Sequence, residues 1–405
     1  MREYILVLLL GLATAYLLAP ACRSLALRCG AVAKVRGRDV HEHAMPYFGG
    51  LAMLGGVAVT FLVASRLPFL SRHSVVTRES LVILAGAAVI CAVGVCDDIF
   101  ELSALLKGAG QVLAAGVIVL GDVRLLWIPW GDRIIALDRT TSVVITVLAI
   151  FLITNAINFI DGLDGLAAGV LTIGSGAFFV YAYWLTVEED LVRATTATLV
   201  TAAICGVCLG YLPHNFHPAR MFMGDSGSML LGLLIASSTI SLTGQIDPTA
   251  LDRQSSLAAA VMPLLMPFAV LALPLLDLAL AFVRRTRHGT WWFVPDKGHL
   301  HHRLLQRGHS QVGAVLLMYA WTALVGFSAI ALGMFPSRFT LIGVGLVLIT
   351  VVIFTLAPAK SRRSPGPAAG TAPAADPVAV PGPAAPLEPA LSRRAESLGE
   401  DGGES

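Results

Sequence analysis

An all-α, polytopic membrane protein with about 11 transmembrane helices is the fold class this sequence predicts, and three observations carry the prediction. Of its 405 residues, 56% are hydrophobic and only 13% are charged, whereas a water-soluble domain carries about a quarter charged residues. The mean hydropathy is +0.77. The apolar residues also fall into runs of about 20, the length a helix needs to cross a hydrocarbon core of about 30 Å. Twenty-eight Lys plus Arg against 26 Asp plus Glu leave a formal charge of +2. That balance argues against nucleic acid as a partner and against a cation buffer, so any functional charge is local.

In chain order the runs are 4–21, 48–70, 79–96, 104–121, 141–160, 164–185, 194–212, 228–244, 255–283, 313–335 and 338–357. The first has a poor positive flank, and Pro20 disturbs any small-residue cleavage site before Cys22, so it reads as a retained helix and not a signal peptide. Residues 121–140 alternate apolar and polar around Pro129 and Gly131, which predicts a short external β-hairpin. Pro263, Pro267 and Pro274 kink or break the ninth run. From Lys360 onward Ala, Pro, Gly and Ser dominate without apolar periodicity, which predicts a disordered tail. The division is thus a membrane domain over 1–357 and a Pro/Ala-rich cytoplasmic tail over 358–405. Six cysteines, Cys22, Cys29, Cys91, Cys96, Cys205 and Cys208, lack the spacing of a disulfide framework or zinc site and read as small buried hydrophobes. No internal repeat is visible, which counts against inverted-repeat transporters.

Eleven crossings put the termini on opposite sides of the bilayer. Assigning the loops 22–47 and 284–312 and their alternates to the inside collects 18 of the 28 basic residues there, so the N-terminus is expected outside and the C-terminus inside. Nine of the ten histidines, all but His73, fall on the same inner loops. So do four acid- or histidine-rich segments: VCDDIFELSALLK at 95–107, TNAINFIDGLDG at 154–165, NFHPARMFMGDSGS at 215–228 and DKGHLHHRLLQRGHS at 296–310.

Asp97 and Asp98 follow directly on an apolar run, where an unneeded carboxylate costs about 2.5–3.5 kcal/mol at the helix centre and less near the interface. Adjacent acids at a helix end also serve as ordinary caps. Lys107, at the start of the next run, either snorkels to the interface or neutralises a phosphate. In 154–165 the polar residues Asn155, Asn158, Asp161 and Asp164 recur every three positions. One straight helix cannot aim all four at a point, because nine residues at 100° rotate by half a turn. Gly162 and Gly165 supply a break, so the fifth helix is expected to end near Phe159, with Asp161 in the turn and Asp164 an N-cap of the sixth. Asp225, between glycines and ahead of small hydroxylated residues, combines a hard oxygen ligand for Mg²⁺ with exposed backbone N–H groups for an anion. His299, His301, His302 and Arg303 crowd a loop opened by Pro295 and Asp296; beside Arg303 and Lys297 they suit an anion better than zinc. The combined inventory suits phosphoryl transfer between a soluble nucleotide donor and a lipid-borne acceptor.

These four motifs, in this order over about 40–335, resemble the polyprenyl-phosphate N-acetylhexosamine-1-phosphate transferases, the MraY/WecA/TagO superfamily. HLHHRLL resembles the WecA-like GlcNAc-1-phosphate transferase branch; the peptidoglycan branch usually has three histidines followed by an aromatic and an acid. The resemblance implies transfer of GlcNAc-1-phosphate from UDP-GlcNAc to a polyprenyl phosphate, undecaprenyl or decaprenyl, giving polyprenyl-diphospho-GlcNAc and UMP. It implies Mg²⁺, with Mn²⁺ as a substitute, and leaves a homodimer open. Carried onto matching positions, Asp225 is the metal ligand with Asn158 as a second. Asp97 resembles the family's proposed base or the acid facing the lipid phosphate, and Asp98 its partner. Lys107, His301, His302 and Arg303 correspond to phosphate-binding positions, with His299 and Asn155 beside them. Asp161 and Asp164 correspond to nucleotide-sugar contacts, and Asn215 and Phe222 to the uridine pocket. HEHAMPYFGG at 41–50 departs from the pattern, with Tyr47 and Phe48 where relatives carry a basic residue. The alternatives are a phospho-MurNAc-pentapeptide transferase and, from another class, a lipid or nucleotide-sugar transporter, which would place ionisable groups near mid-membrane.

Overall fold

A computed structural model describes residues 1–33, 45–130, 133–188, 192–243, 269, 272–287, 300–335 and 337–356. Twelve helices and one hairpin are named in it: α1 (Arg2–Cys29), α2 (Gly49–Ala64), α3 (Ser74–Phe100), α4 (Ala104–Leu120), β1 (Trp127–Trp130), β2 (Arg133–Ala136), α5 (Arg139–Ile160), α6 (Leu166–Glu188), α7 (Val192–Asn215), α8 (Gly224–Thr243), α9 (Ala272–Arg287), α10 (Leu300–Gln306), α11 (Gln311–Met334) and α12 (Arg338–Leu356). Each predicted run contains one of them. Eight are long and apolar enough to span a membrane, and α2 and α4 are shorter apolar helices of 16 and 17 residues. The fold is an all-α polytopic membrane bundle. Only the later part of the ninth run, α9, is described; Pro263, Pro267 and the expected tail lie outside the described residues.

Local sequence sets the helix ends. Ser103, Asp138 and Ser310 accept N–H groups of Leu106, Thr141 and Gly313 at the N-termini of α4, α5 and α11. The hairpin pairs antiparallel, with Trp127 opposite Ala136 and Ile128 opposite Ile135. It is anchored by Thr146 Oγ1, which accepts from Leu125 N at 3.0 Å. Pro20 does not break α1. Its missing N–H leaves the Tyr16 carbonyl free, and His214 Nε2 meets that oxygen at 3.1 Å.

The bundle closes through small residues, as lipid-embedded helices do when no hydrophobic force drives their backbones together. A Cβ on Gly206 or Gly210 of α7 would come within 2.3 and 2.1 Å of the Leu8 and Leu12 carbonyl oxygens of α1. One on Gly232 of α8 would reach Thr154 Cα of α5 at 2.6 Å. α8 packs against α2, α3, α5 and α7 and is the most enclosed span, 94% of its apolar window being buried, while only 6% is buried in α12. α8 is therefore the axis of the bundle, and its N-terminus opens at the end where α3, α5 and α7 finish.

Two expectations are corrected. HLHHRLL is not loop throughout: Leu300–Gln306 form α10, where Leu304 is buried in the core and Leu305 packs against it. Nor are all cysteines buried. Cys91, Cys205 and Cys208 are, but Cys29 and Cys96 are exposed on the outside of their helices, and all six are free thiols.

Candidate active site

The last turn of α3 carries Asp97 and Asp98, and neighbouring helical residues point about 100° apart. The two acids accordingly serve different partners. Asp97 turns toward α4: its Oδ1 accepts from Leu102 N at 2.8 Å, and its Oδ2 lies 3.1 Å from Lys107 Nζ. Asp98 turns toward α8, where its oxygens accept from Asp225 N at 2.8 Å and Ser226 N at 3.3 Å. Asp98 therefore caps α8, a helix whose first turn would otherwise hold unmatched donors. This approach requires glycine. A Cβ on Gly224, which has φ +71°, would sit 2.5 Å from Asp98 Oδ2, and one on Gly94 would sit 2.4 Å from Ser226 Cα.

Capping fixes Asp225, whose side chain then meets two others. Lys107 Nζ donates to its Oδ2, and Asn158 Nδ2 donates to its Oδ1 at 2.7 Å and to Ser228 Oγ at 2.8 Å. Asp97, Lys107, Asn158 and Asp225, from α3, α4, α5 and α8, thus form one group. Asn158 faces Asp225 with its amide nitrogen and in this arrangement orients the acid. Asn155, one turn earlier, is engaged elsewhere: its Nδ2 donates to Gln111 Oε1 at 2.7 Å and to the Phe151 carbonyl at 2.8 Å, tying α4 to α5.

α5 ends at Ile160, and Asp161 is its C-cap residue, as expected to within a residue. Burial, reinforced by the charges of Asp225, Asp98 and Asp164, pushes its carboxyl up to about 7. Asp164 lies two residues ahead of Leu166, where α6 begins. It is buried, and its Oδ2 accepts from Ala219 N at 3.2 Å and meets His217 Nδ1 at 2.9 Å, because the turn at Gly165 (φ +75°) directs it toward the loop after α7. Asn215 fastens the same loop, accepting from Gly165 N and donating to the Met221 carbonyl, both at 3.1 Å. Tyr319 of α11 donates to the Gly165 carbonyl. Phe222 extends that loop beside residues 46–50: its N–H donates to the Pro46 carbonyl at 2.9 Å, and its ring lies 6.2 Å from Tyr47. Tyr47 and Phe222 therefore make an aromatic wall at the junction of these two loops.

Arg303 is exposed on α10. His299 lies outside the described residues, and for His301 and His302 only the helical backbone is described. Among the described residues no three His, Cys, Asp or Glu side chains converge as a metal cage. What exists is a carboxylate pair, Asp97 Oδ2 and Asp225 Oδ2, already facing one cation in Lys107. Hard oxygens paired in this way fit Mg²⁺, which takes one or two carboxylates and completes its shell with substrate phosphates.

Four contributors escaped sequence reasoning. His217 is held by buried Asp164, Gln111 pairs with Asn155, and Ser228 shares the Asn158 amide. The fourth, Arg285 of α9, lies 5.7 Å over the ring of Phe159, next to Asn158. The spacing of Asp225 and Ser228, three residues apart on one helix face, was a usable signal for Ser228. The others depend on which helices are neighbours.

A family model described as Glycosyl transferase family 4 matches residues 80–243, from α3 through α8. The chain is 41% identical over 371 residues to a decaprenyl-phosphate N-acetylglucosaminephosphotransferase of Mycolicibacterium smegmatis, covering 90% of this chain and 91% of that one. It is 34% identical to a probable undecaprenyl-phosphate N-acetylglucosaminyl 1-phosphate transferase of Bacillus subtilis, covering 82% and 86%. To a phospho-N-acetylmuramoyl-pentapeptide-transferase of Mycobacterium avium it is 29% identical, covering 64% and 82%. The chain belongs to glycosyl transferase family 4, the superfamily of polyprenyl-phosphate N-acetylhexosamine-1-phosphate transferases, on the N-acetylglucosamine-1-phosphate branch.

Proposed function

We propose that the chain transfers GlcNAc-1-phosphate from UDP-GlcNAc to a polyprenyl phosphate of the decaprenyl or undecaprenyl class, giving polyprenyl-diphospho-GlcNAc and UMP. The reaction takes place on the cytoplasmic side of a bacterial plasma membrane, with the N-terminus outside and the C-terminus inside. The observation that carries this reading is the meeting of Asp97, Lys107, Asn158 and Asp225, from four helices, at one end of a membrane bundle. The 41% identity to a decaprenyl-phosphate N-acetylglucosaminephosphotransferase supports GlcNAc as the sugar. The peptidoglycan alternative is less favoured, since the match to the pentapeptide transferase covers only 64% of this chain.

Asp225 and Asp97 would hold Mg²⁺, and the ion supplies charge neutralisation to the diphosphate when bound. Asp98 and Asn158 fix Asp225 from its backbone and from its Oδ1. Lys107 brings a positive charge to the substrate phosphates. A lipid phosphate oxygen attacks the β-phosphorus of UDP-GlcNAc, and the bond to the bridging oxygen breaks, its electron pair leaving with UMP. The attacking phosphomonoester has a second pKa of about 6, so it is largely ionised at neutral pH and needs little help from a base. Asp97, with one oxygen on Leu102 N and the other beside Lys107, acts by orientation and charge. Asp161, protonated through part of the neutral range, can donate a hydrogen bond to a nucleotide-sugar oxygen.

The test is UMP release by purified protein with polyprenyl phosphate and either UDP-GlcNAc or UDP-MurNAc-pentapeptide, in Mg²⁺ or in EDTA. UMP is expected from UDP-GlcNAc in Mg²⁺ alone. Release from the pentapeptide donor only would overturn the donor assignment, and undiminished release in EDTA the metal.

A further inference from the structure

The oxygens best suited to a divalent ion already hold a cation that belongs to the protein. Lys107 Nζ lies between Asp97 Oδ2 and Asp225 Oδ2, with only a fifth of its side chain exposed. An ammonium and a divalent ion cannot share two oxygens at this range, since like charges a few ångströms apart repel strongly at the effective dielectric of a protein surface. Lys107 stands in the first turn of α4.

We propose that Lys107 is a built-in counter-ion. It occupies the carboxylate pair in the free protein, is displaced when a divalent ion arrives, and in its displaced position offers its ammonium to a substrate phosphate. The inference rests on the proposed metal reading and adds an order to it, the ion entering before Lys107 reaches the phosphate. It also separates this role from two simpler ones. A lysine that only binds phosphate leaves metal affinity unchanged when removed, and a lysine that only holds the acids in place weakens metal binding when removed. A competing counter-ion predicts the opposite sign, tighter metal binding together with poorer turnover.

The measurement is Mn²⁺ binding to the purified protein in detergent at pH 8, without nucleotide or lipid, followed by the electron paramagnetic resonance of free Mn²⁺. Lys107→Met is expected to bind Mn²⁺ tighter by on the order of tenfold, Lys107→Arg to stay near wild type, and Asp225→Asn to lose binding. Unchanged or weaker binding by Lys107→Met, with binding still dependent on Asp225, overturns the counter-ion and leaves the metal reading standing. No Asp225-dependent binding in any of these proteins overturns both. A second measurement needs no variant. Acylation of Lys107 in the wild type, quantified by peptide mass spectrometry against Lys34 and Lys297, is expected to rise several-fold when Mn²⁺ is added, and an unchanged rate overturns the displacement.

Discussion

Asp98→Asn isolates the cap on α8 from the chemistry it supports. The native carboxylate accepts two backbone N–H groups, at 2.8 Å from Asp225 and 3.3 Å from Ser226. The amide is nearly isosteric but has one acceptor oxygen, so its NH₂ must face the second N–H, donor against donor. The loss is one charge-assisted hydrogen bond, about 1.5–3 kcal/mol. At 1.4 kcal/mol per factor of ten, that energy lowers the population of correctly set Asp225 by about 10-fold to 100-fold. Both kcat/KM for UMP release and Mn²⁺ affinity should fall by that order, because both depend on where Asp225 sits. UMP release with saturating Mn²⁺ should recover part of the loss. A kcat/KM within threefold of wild type would refute the view that Asp98 acts by holding the start of α8.

Asp97→Asn should slow turnover by the same factor across pH 6.5–9, since both oxygens of Asp97 are engaged and the lipid phosphate ionises on its own; a loss that shrinks as pH rises would make Asp97 a base. Asp161 has its carboxyl pushed up to about 7 from an ordinary 3.8, so the folded protein binds the extra proton. Its contribution is fully favourable below pH 4 and is lost as pH rises through 7. Asp161→Asn should therefore raise Tm in detergent more at pH 8 than at pH 5, and an equal shift at both would contradict the burial argument. Gly210→Val forces a side chain to within 2.1 Å of the Leu12 carbonyl oxygen unless α1 moves. It should destabilise by about 1–3 kcal/mol, read as a lower Tm, while Gly116→Val, with open space around it, should not.

Much of this was legible in sequence because a bilayer imposes a single length scale on every helix. Each of the eleven apolar runs contains a helix among the described residues, and the Gly162 to Gly165 break set the end of α5 to within one residue. What stayed hidden was direction. The tandem acids Asp97 and Asp98 read as one unit, yet the 100° between them sends one to Lys107 and the other to the start of α8. Asp164 had the position of an N-cap, and nothing in that position reported its contacts with His217 and Ala219. The Gln111 and Asn155 pair was invisible because it depends on the rotation of α4 against α5, which no periodicity reports. α10 was missed because seven residues are too few for an apolar period to stand out.

The polar residues at this end of the bundle divide by what they bind. Asp98 and Asn215 give their acceptor oxygens to backbone N–H groups that helix ends in a membrane must match, and Asp164 gives one of its oxygens to Ala219 N while meeting His217. Removing any of these disturbs the scaffold and the chemistry together. Asp225, Lys107 and Asn158 bind one another through side chains, and Asp97 divides its oxygens between Leu102 N and Lys107. Contacts of that kind can be exchanged for a metal ion or a phosphate without unravelling a helix end. The chemistry therefore belongs to the inner group, and conservative substitutions there should cut turnover while leaving Tm nearly unchanged. Asp98→Asn should lower both, so measuring the two quantities together on one set of variants tests whether the division is real.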